Sequence, residues 1–223
     1  MHQMTLLNLV MSMAIHCPDI PLTFVHIPKT AGSAVSAWLK THSPHTRHEP
    51  PLERIGSIAQ NGERHPLFRE KHNTFDEIRP HFRRSGLDMG TVVVVVRNPW
   101  DRLVSMWAYL SDRSLSLGSD RSDSVRFKSF RDFILDGEWG IATRPQTDFF
   151  KFSETIQSET IMLRFENLAT DFRSIQSLCK VDVPLPVKNK SEHEHYSSYY
   201  DDETRDFVAN KCAADINLLD YSY

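Results

Sequence analysis

The stretch Val92-Val93-Val94-Val95-Val96-Arg97-Asn98-Pro99-Trp100-Asp101-Arg102-Leu103-Val104-Ser105 decides the fold. Five consecutive β-branched residues without polar alternation predict a strand covered on both faces, at the centre of a parallel sheet. Pro99 suits the first turn of a helix and Asp101 the positive end of its dipole. Leu103, Val104, Trp107 and Leu110 carry the helix onward. Arg97 therefore stands where strand gives way to helix, at the edge where open α/β sheets bind ligands. Ser105 lies about two helical turns farther on, so spacing alone does not pair it with Arg97. A pair between Arg97 and Asp101, with Ser105 a helix-surface hydroxyl, is the competing reading.

A second junction of the same kind lies upstream, in Phe24-Val25-His26-Ile27-Pro28-Lys29-Thr30-Ala31-Gly32-Ser33-Ala34. Pro21 to Ile27 reads as a strand that Pro28 ends, and Gly32 to Leu39 as a helix with Ala34, Val35, Trp38 and Leu39 at helical spacing. The turn resembles a phosphate-cradling loop, but its lysine precedes the small residues, so it is not GxxxxGK[ST]. Ala31 and Gly32 let the backbone approach an oxyanion, and the N–H groups of Gly32, Ser33 and Ala34 are expected to face it at the helix N-terminus. Lys29 can neutralise charge on a bridging oxygen; the alternative is an exposed lysine beside a helix cap. Each junction thus offers a cation and a hydroxyl: Lys29 with Thr30 or Ser33, and Arg97 with Ser105. Together they suit a ligand with two separated anionic groups, such as a nucleotide bearing phosphates at both ends of its ribose.

The rest of the chain is organised around these junctions. Thr74 to Arg84 reads as a short helix capped by Asn73 or Thr74, and Phe130 to Leu135 as another. Thr160 to Phe165 reads as a strand, Leu168 to Cys179 as the helix after it, and Asp202 to Asp215 as a final helix. Asp201, Asp202 and Glu203 supply charge favourable to that helix's dipole. Thr41 to Pro66, Ser111 to Ser129 and Pro184 to Ser191 read as loops. Trp100, Trp107 and Tyr109 are assigned to the core rather than to a nucleobase platform. Strand–helix alternation without an internal repeat predicts one three-layer α/β domain over residues 21–223, its central parallel sheet flanked by helices. Residues 1–20 are expected to be a leader or a short helix.

Composition narrows the function. A net charge of −3 over 223 residues argues against a general nucleic-acid binder, so anion recognition must be local. Cys17, Cys179 and Cys212 form neither a CxxC pair nor an even disulfide framework, which fits a reducing compartment. Leu6 to Ile15 is apolar but lacks a basic flank and is too short to span a bilayer, so a soluble, cytoplasmic protein is expected. His42, His45 and His48 recur every third residue in a Pro-rich loop without nearby cysteines, and no metal site is assigned to them. His193, Glu194 and His195 read as a polar loop. Glu166 is expected to pair with Arg164 or to cap the next helix.

HIPKTAGSA followed by VVVVVRNPWDRLVS resembles the paired cosubstrate signatures of the carbohydrate-type sulfotransferases, which use 3'-phosphoadenosine 5'-phosphosulfate (PAPS). The resemblance continues through Lys71-His72-Asn73-Thr74, Arg144-Pro145-Gln146-Thr147-Asp148-Phe149, Arg164-Phe165-Glu166-Asn167-Leu168 and Leu185 to Ser191. It then runs through His195 to Tyr200 and Asp215 to Tyr221, and so covers nearly everything after residue 20. It implies a P-loop-like sheet flanked by helices and in-line sulfuryl transfer, without a metal, to a hydroxyl acceptor, a saccharide. Lys29, Thr30, Gly32, Ser33 and Ala34 would hold the 5'-phosphosulfate, with Lys29 at the leaving oxygen. Arg97 and Ser105 would hold the 3'-phosphate, and Lys190 and Ser191 would lie on a loop closing over the nucleotide. His72 lies where related sulfotransferases keep a histidine base, and an imidazole is matched to that role near neutral pH; a structural residue preceding a helix is its other reading.

The chain departs from the family pattern at Asp220, where a glycine is common before Tyr221, and its two long loops match no family segment. Eukaryotic relatives sit behind a membrane anchor, so the cytoplasm of a prokaryote or of a virus-infected cell fits this chain better. Two other functions stay in play. One is a non-catalytic module binding 3'-phosphoadenosine nucleotides; the other is a Mg-ATP small-molecule kinase, disfavoured because the Gly-rich loop with its following lysine is missing.

Overall fold

A computed structural model of the protein describes residues 14–20, 22–43, 45–48, 74–117, 128–137, 143–152, 155–156, 160–186 and 193–223. In chain order the strands are β1 Ala14–Cys17, β2 Leu22–Val25, β3 Arg47–His48, β4 Thr91–Val96, β5 Lys151–Phe152, β6 Thr155–Ile156 and β7 Ile161–Arg164. The helices are α1 Gly32–His42, α2 Phe75–Ser85, α3 Pro99–Leu117, α4 Phe130–Leu135, α5 Thr147–Phe150, α6 Leu168–Asp171, α7 Arg173–Cys179, α8 Asp202–Lys211 and α9 Ala213–Leu219.

The valine run is the sheet's centre. Strands β2, β4 and β7 pair in parallel, with Val25 opposite Val94 and Val96 opposite Arg164. The expected parallel sheet holds for β2, β4 and β7, but the sheet as a whole is mixed: β1 runs antiparallel to β2, and β3 antiparallel to β1, in the order β3-β1-β2-β4-β7. The reason is connection length. Only a tight turn joins β1 to β2, closed by the Ile20 N–H on the Cys17 carbonyl at 3.2 Å, and a link that short permits only antiparallel pairing. Ala14–Cys17, inside the stretch expected to be leader or helix, is thus a fully buried strand.

Alternation across the sheet makes three layers, as expected. Val93 and Val95 join Phe24 and Leu163 under Val35, Trp38 and Leu39 of α1 and Ile175 of α7. Val92, Val94 and Val96 join Val25 and Ile27 on the other face, under Ile78 of α2, Phe149 and Phe150 of α5, and Leu219 of α9. Burying a valine side chain stabilises by roughly 1.5–3 kcal/mol, so the run anchors both layers at once. A third cluster joins Trp100, Leu103 and Val104 of α3 to Phe133 and Ile134 of α4 and to Val208 of α8. Trp100 and Trp107 belong to this cluster, as their core assignment requires.

Helix ends depart from the sequence expectation: α1 runs on to His42 rather than Leu39, and three other helices differ as well. Helix α3 continues to Leu117, past the predicted stop at Ser111, because an established helix adds residues more readily than it nucleates. The final helix breaks at Cys212, whose φ of −105° and ψ of 21° leave the helical region. The helix after β7 divides at Phe172 into α6 and α7. Among the described residues, no helix is long and apolar enough to cross a membrane.

Candidate functional site

The β2–α1 turn is held in a strained form. Lys29 and Ala31 both adopt left-handed backbone angles, with φ of 65° and 67°, although neither is glycine. Such conformations cost about 1–3 kcal/mol each and persist only where the surroundings impose them. Thr30, fully buried, donates its hydroxyl to the Ile27 carbonyl at 3.0 Å and ties the turn to the end of β2. The Ala31 carbonyl accepts the N–H of Ala34 at 2.9 Å and of Val35 at 3.3 Å, which starts α1. The Ala34 N–H, expected to face an oxyanion, is therefore engaged inside the turn. Gly32 and Ser33 are the first two residues of α1.

Gly32 has a reason beyond close approach of a ligand. A Cβ at this position would lie 1.9 Å from Cδ2 and 2.1 Å from Nε2 of His26. The imidazole fills that space and stacks on Phe24, ring centres 6.0 Å apart. Sequence reasoning passed over His26; the available signal was a lone polar residue at the apolar end of a strand.

Lys29 is not the exposed lysine of the alternative reading. Its Nζ lies 4.4 Å from the ring centre of Tyr109 on α3, and no carboxylate among the described residues pairs with it. Burial, and then repulsion from Arg97, push its ammonium down to about 8. Tyr109, assigned to the core from sequence, thus also serves as the platform for this cation.

The β4–α3 turn presents its cation within a full set of contacts. Arg97 is only 6% exposed. Its Nε donates to Asp101 Oδ2 at 2.7 Å, its Nη1 donates to the Lys29 carbonyl at 3.2 Å, and its guanidinium lies 4.0 Å from the Phe165 ring centre. The Asp101 pair posed as an alternative is present, and the bond to Lys29 brings the two junctions together. Nη2 has no hydrogen-bond acceptor among the described residues. Ser105 is buried in α3 and is not a partner of Arg97.

Asn98 starts α3 by accepting the Trp100 N–H at 3.0 Å on its side-chain oxygen. Glu166 takes neither of its expected roles. It accepts the Asn98 N–H at 2.6 Å and the Tyr221 hydroxyl at 3.2 Å, joining the β7 end to the β4–α3 turn. Behind Arg97 lies a buried polar group that sequence reasoning did not single out. Gln146 accepts the Arg97 N–H at 2.9 Å and donates to the Arg97 carbonyl at 2.7 Å. Asp215 of α9 accepts the Gln146 and Thr147 N–H groups at 2.7 and 2.8 Å. Arg102, fully buried, donates to the Thr143 and Arg144 carbonyls at 3.2 and 2.6 Å.

His72, Lys190 and Ser191 lie outside the described residues. The histidines considered as a metal cluster diverge: His45 pairs with Asp19 at 2.7 Å, while His42 packs on Trp38 with ring centres 4.5 Å apart. The described residues contain no group of three or more His, Cys, Asp or Glu placed to hold a metal ion. All three cysteines are free, and burial pushes the Cys212 thiol up to about 12.

The site therefore consists of two abutting strand–turn–helix junctions, each presenting a cation at the same edge of the sheet. Compared with known proteins, the chain matches the model of the sulfotransferase family over residues 12–222. No curated protein and no solved structure matches it.

Proposed function

Because the chain belongs to the sulfotransferase family over nearly its whole length, we propose that it transfers the sulfuryl group of PAPS to a hydroxyl of a saccharide acceptor. Lys29 carries this reading: a half-buried cation at a helix N-terminus, without a carboxylate partner among the described residues, beside a second cation. Such a pair of charges calls for an anion with two ends. The parallel β2–β4 pair, with both turns beyond its carboxyl ends, is the setting a P-loop-like fold requires.

When bound, PAPS supplies an activated sulfuryl group. Lys29, with the backbone of Thr30, Gly32 and Ser33, holds the 5'-phosphosulfate end and sets a positive charge against the oxygen where negative charge develops. The Thr30 hydroxyl is already given to Ile27, so its share is the main-chain N–H. Arg97 directs Nη2 toward the 3'-phosphate, with Ser105 as the hydroxyl of that end. His72 is assigned the acceptor proton, and Lys190 and Ser191 are assigned to nucleotide binding. No metal is assigned a role. Alignment and charge placement carry the acceleration, as in phosphoryl transfer.

The test is transfer of label from PAPS to a panel of saccharide hydroxyls. Formation of labelled ester with release of 3',5'-ADP is expected, and His72→Ala is expected to keep nucleotide affinity while turnover falls about 10²–10⁴-fold. Nucleotide binding without transfer to any acceptor would make the chain a non-catalytic binding module. Unchanged turnover in His72→Ala would remove that residue as the base.

A further inference from the structure

We propose that Gln146 is a positioning residue for Arg97, fixing its main chain so that its guanidinium meets the 3'-phosphate of the nucleotide; the inference rests on the PAPS reading above. Strand β4 ends at Val96, and its last pairing to β2 is at Val94, so no strand on that side reaches Arg97. A primary amide carries a donor and an acceptor in one plane, as a peptide unit does. Gln146 uses both on a single residue, Oε1 on the Arg97 N–H at 2.9 Å and Nε2 on the Arg97 carbonyl at 2.7 Å. It therefore does for Arg97 what a neighbouring strand does for a residue inside a sheet.

The amide is itself held. Gln146 is fully buried, and its Nε2 also reaches Asp215 Oδ2 at 3.2 Å. The opposite amide orientation would set its oxygen against both the Arg97 carbonyl and the Asp215 carboxylate, so the network permits one orientation only. Asp215, fully buried as well, accepts the main-chain N–H groups of Gln146 and Thr147. Arg102 pins the carbonyls of Thr143 and Arg144, just upstream of Gln146. Arg97 is thus fixed at its backbone by Gln146 and at Nε by Asp101, with Nη2 left over. A donor held in this way loses little further freedom when it binds an anion.

Affinities of 3',5'-ADP and 5'-AMP, measured by calorimetry, test this through their ratio, a property of the folded molecules that lowered stability alone does not change. Wild type is expected to prefer the bisphosphate, and Arg97→Ala to lose that preference. Gln146→Met, which keeps size but loses both bonds, is expected to reduce the preference about three- to tenfold, leaving 5'-AMP affinity within twofold. Gln146→Asn, with its amide drawn back, is expected to fall between. No preference in wild type would remove the functional reading and the inference with it. A preference lost in Arg97→Ala but intact in Gln146→Met or Gln146→Asn would overturn the inference alone. If neither variant folds, the side-chain amide resonances of Gln146 in the wild type decide: they are expected to move with 3',5'-ADP far more than with 5'-AMP, and equal movement would overturn the proposal.

Discussion

The β2–α1 and β4–α3 turns each offer one cation to the same edge of the sheet, and they hold it in opposite ways. Lys29 sits on a backbone strained at two residues, over an aromatic ring, without a carboxylate among the described residues. Arg97 lies outside the left-handed backbone region, with a carboxylate on Nε, a carbonyl on Nη1, an aromatic face and an amide on its main chain. The first charge is kept uncompensated in a setting that penalises it; the second is compensated and aimed. An incoming anion relieves the first and merely docks on the second. That contrast fits a site in which charge develops at the lysine end during reaction while the arginine end fixes the ligand.

The largest expected effect breaks the first turn alone. Gly32→Ala would drive a Cβ into His26, whose buried ring cannot move aside cheaply. Loss of about 1–3 kcal/mol of stability is expected, together with loss of binding of both 3',5'-ADP and 5'-AMP. Thermal unfolding and calorimetry would check this, and retained 5'-AMP binding would separate the turn from the 5' end.

A smaller effect is expected at the second turn. Arg97→Ala should weaken 3',5'-ADP about 10- to 100-fold, the range of a charge-assisted hydrogen bond of 1.5–3 kcal/mol, while 5'-AMP changes little. Equal losses for the two nucleotides would erase the distinction between the turns.

The smallest effect is a pH dependence carried by Lys29. With its ammonium pushed down to about 8 from 10.5, Lys29 loses its charge as pH rises through 8. Affinity for 5'-AMP is therefore expected to fall a few-fold between pH 7.5 and roughly 9.5, once phosphate ionisation is complete, and Lys29→Arg is expected to abolish the fall. Stability moves the other way. Between about pH 8 and 10.5 the unfolded chain holds the Lys29 proton that the folded chain has released, so this group's contribution to stability rises with pH over that window. A fall in affinity that survives Lys29→Arg would assign the titration elsewhere.

Both turns could be located in the sequence, because each rests on local signals: an apolar run followed within three residues by a cation and a proline. The Arg97–Asp101 pair was legible too, since four residues is one helical turn. Strand β1 was obscured because Ala14–Cys17 ends a longer apolar run, although Pro18 and Asp19 mark the hairpin turn that follows. Glu166 was assigned to its neighbours in sequence, whereas its acceptor role lies across the sheet edge, at Asn98. Gln146 and Asp215 meet 69 residues apart in sequence, a pairing that no periodicity encodes. Residues that build the turns could be read from the chain, and those that brace them from outside could not.

Whether two abutting turns hold the two anionic ends of one 3'-phosphoadenosine nucleotide is decided by calorimetry of the wild-type protein with 3',5'-ADP and with ATP, each with magnesium and with EDTA. Tight 3',5'-ADP binding that EDTA leaves unchanged is expected, with weaker binding of ATP under both conditions. A preference for ATP that depends on magnesium would contradict the two-ended site.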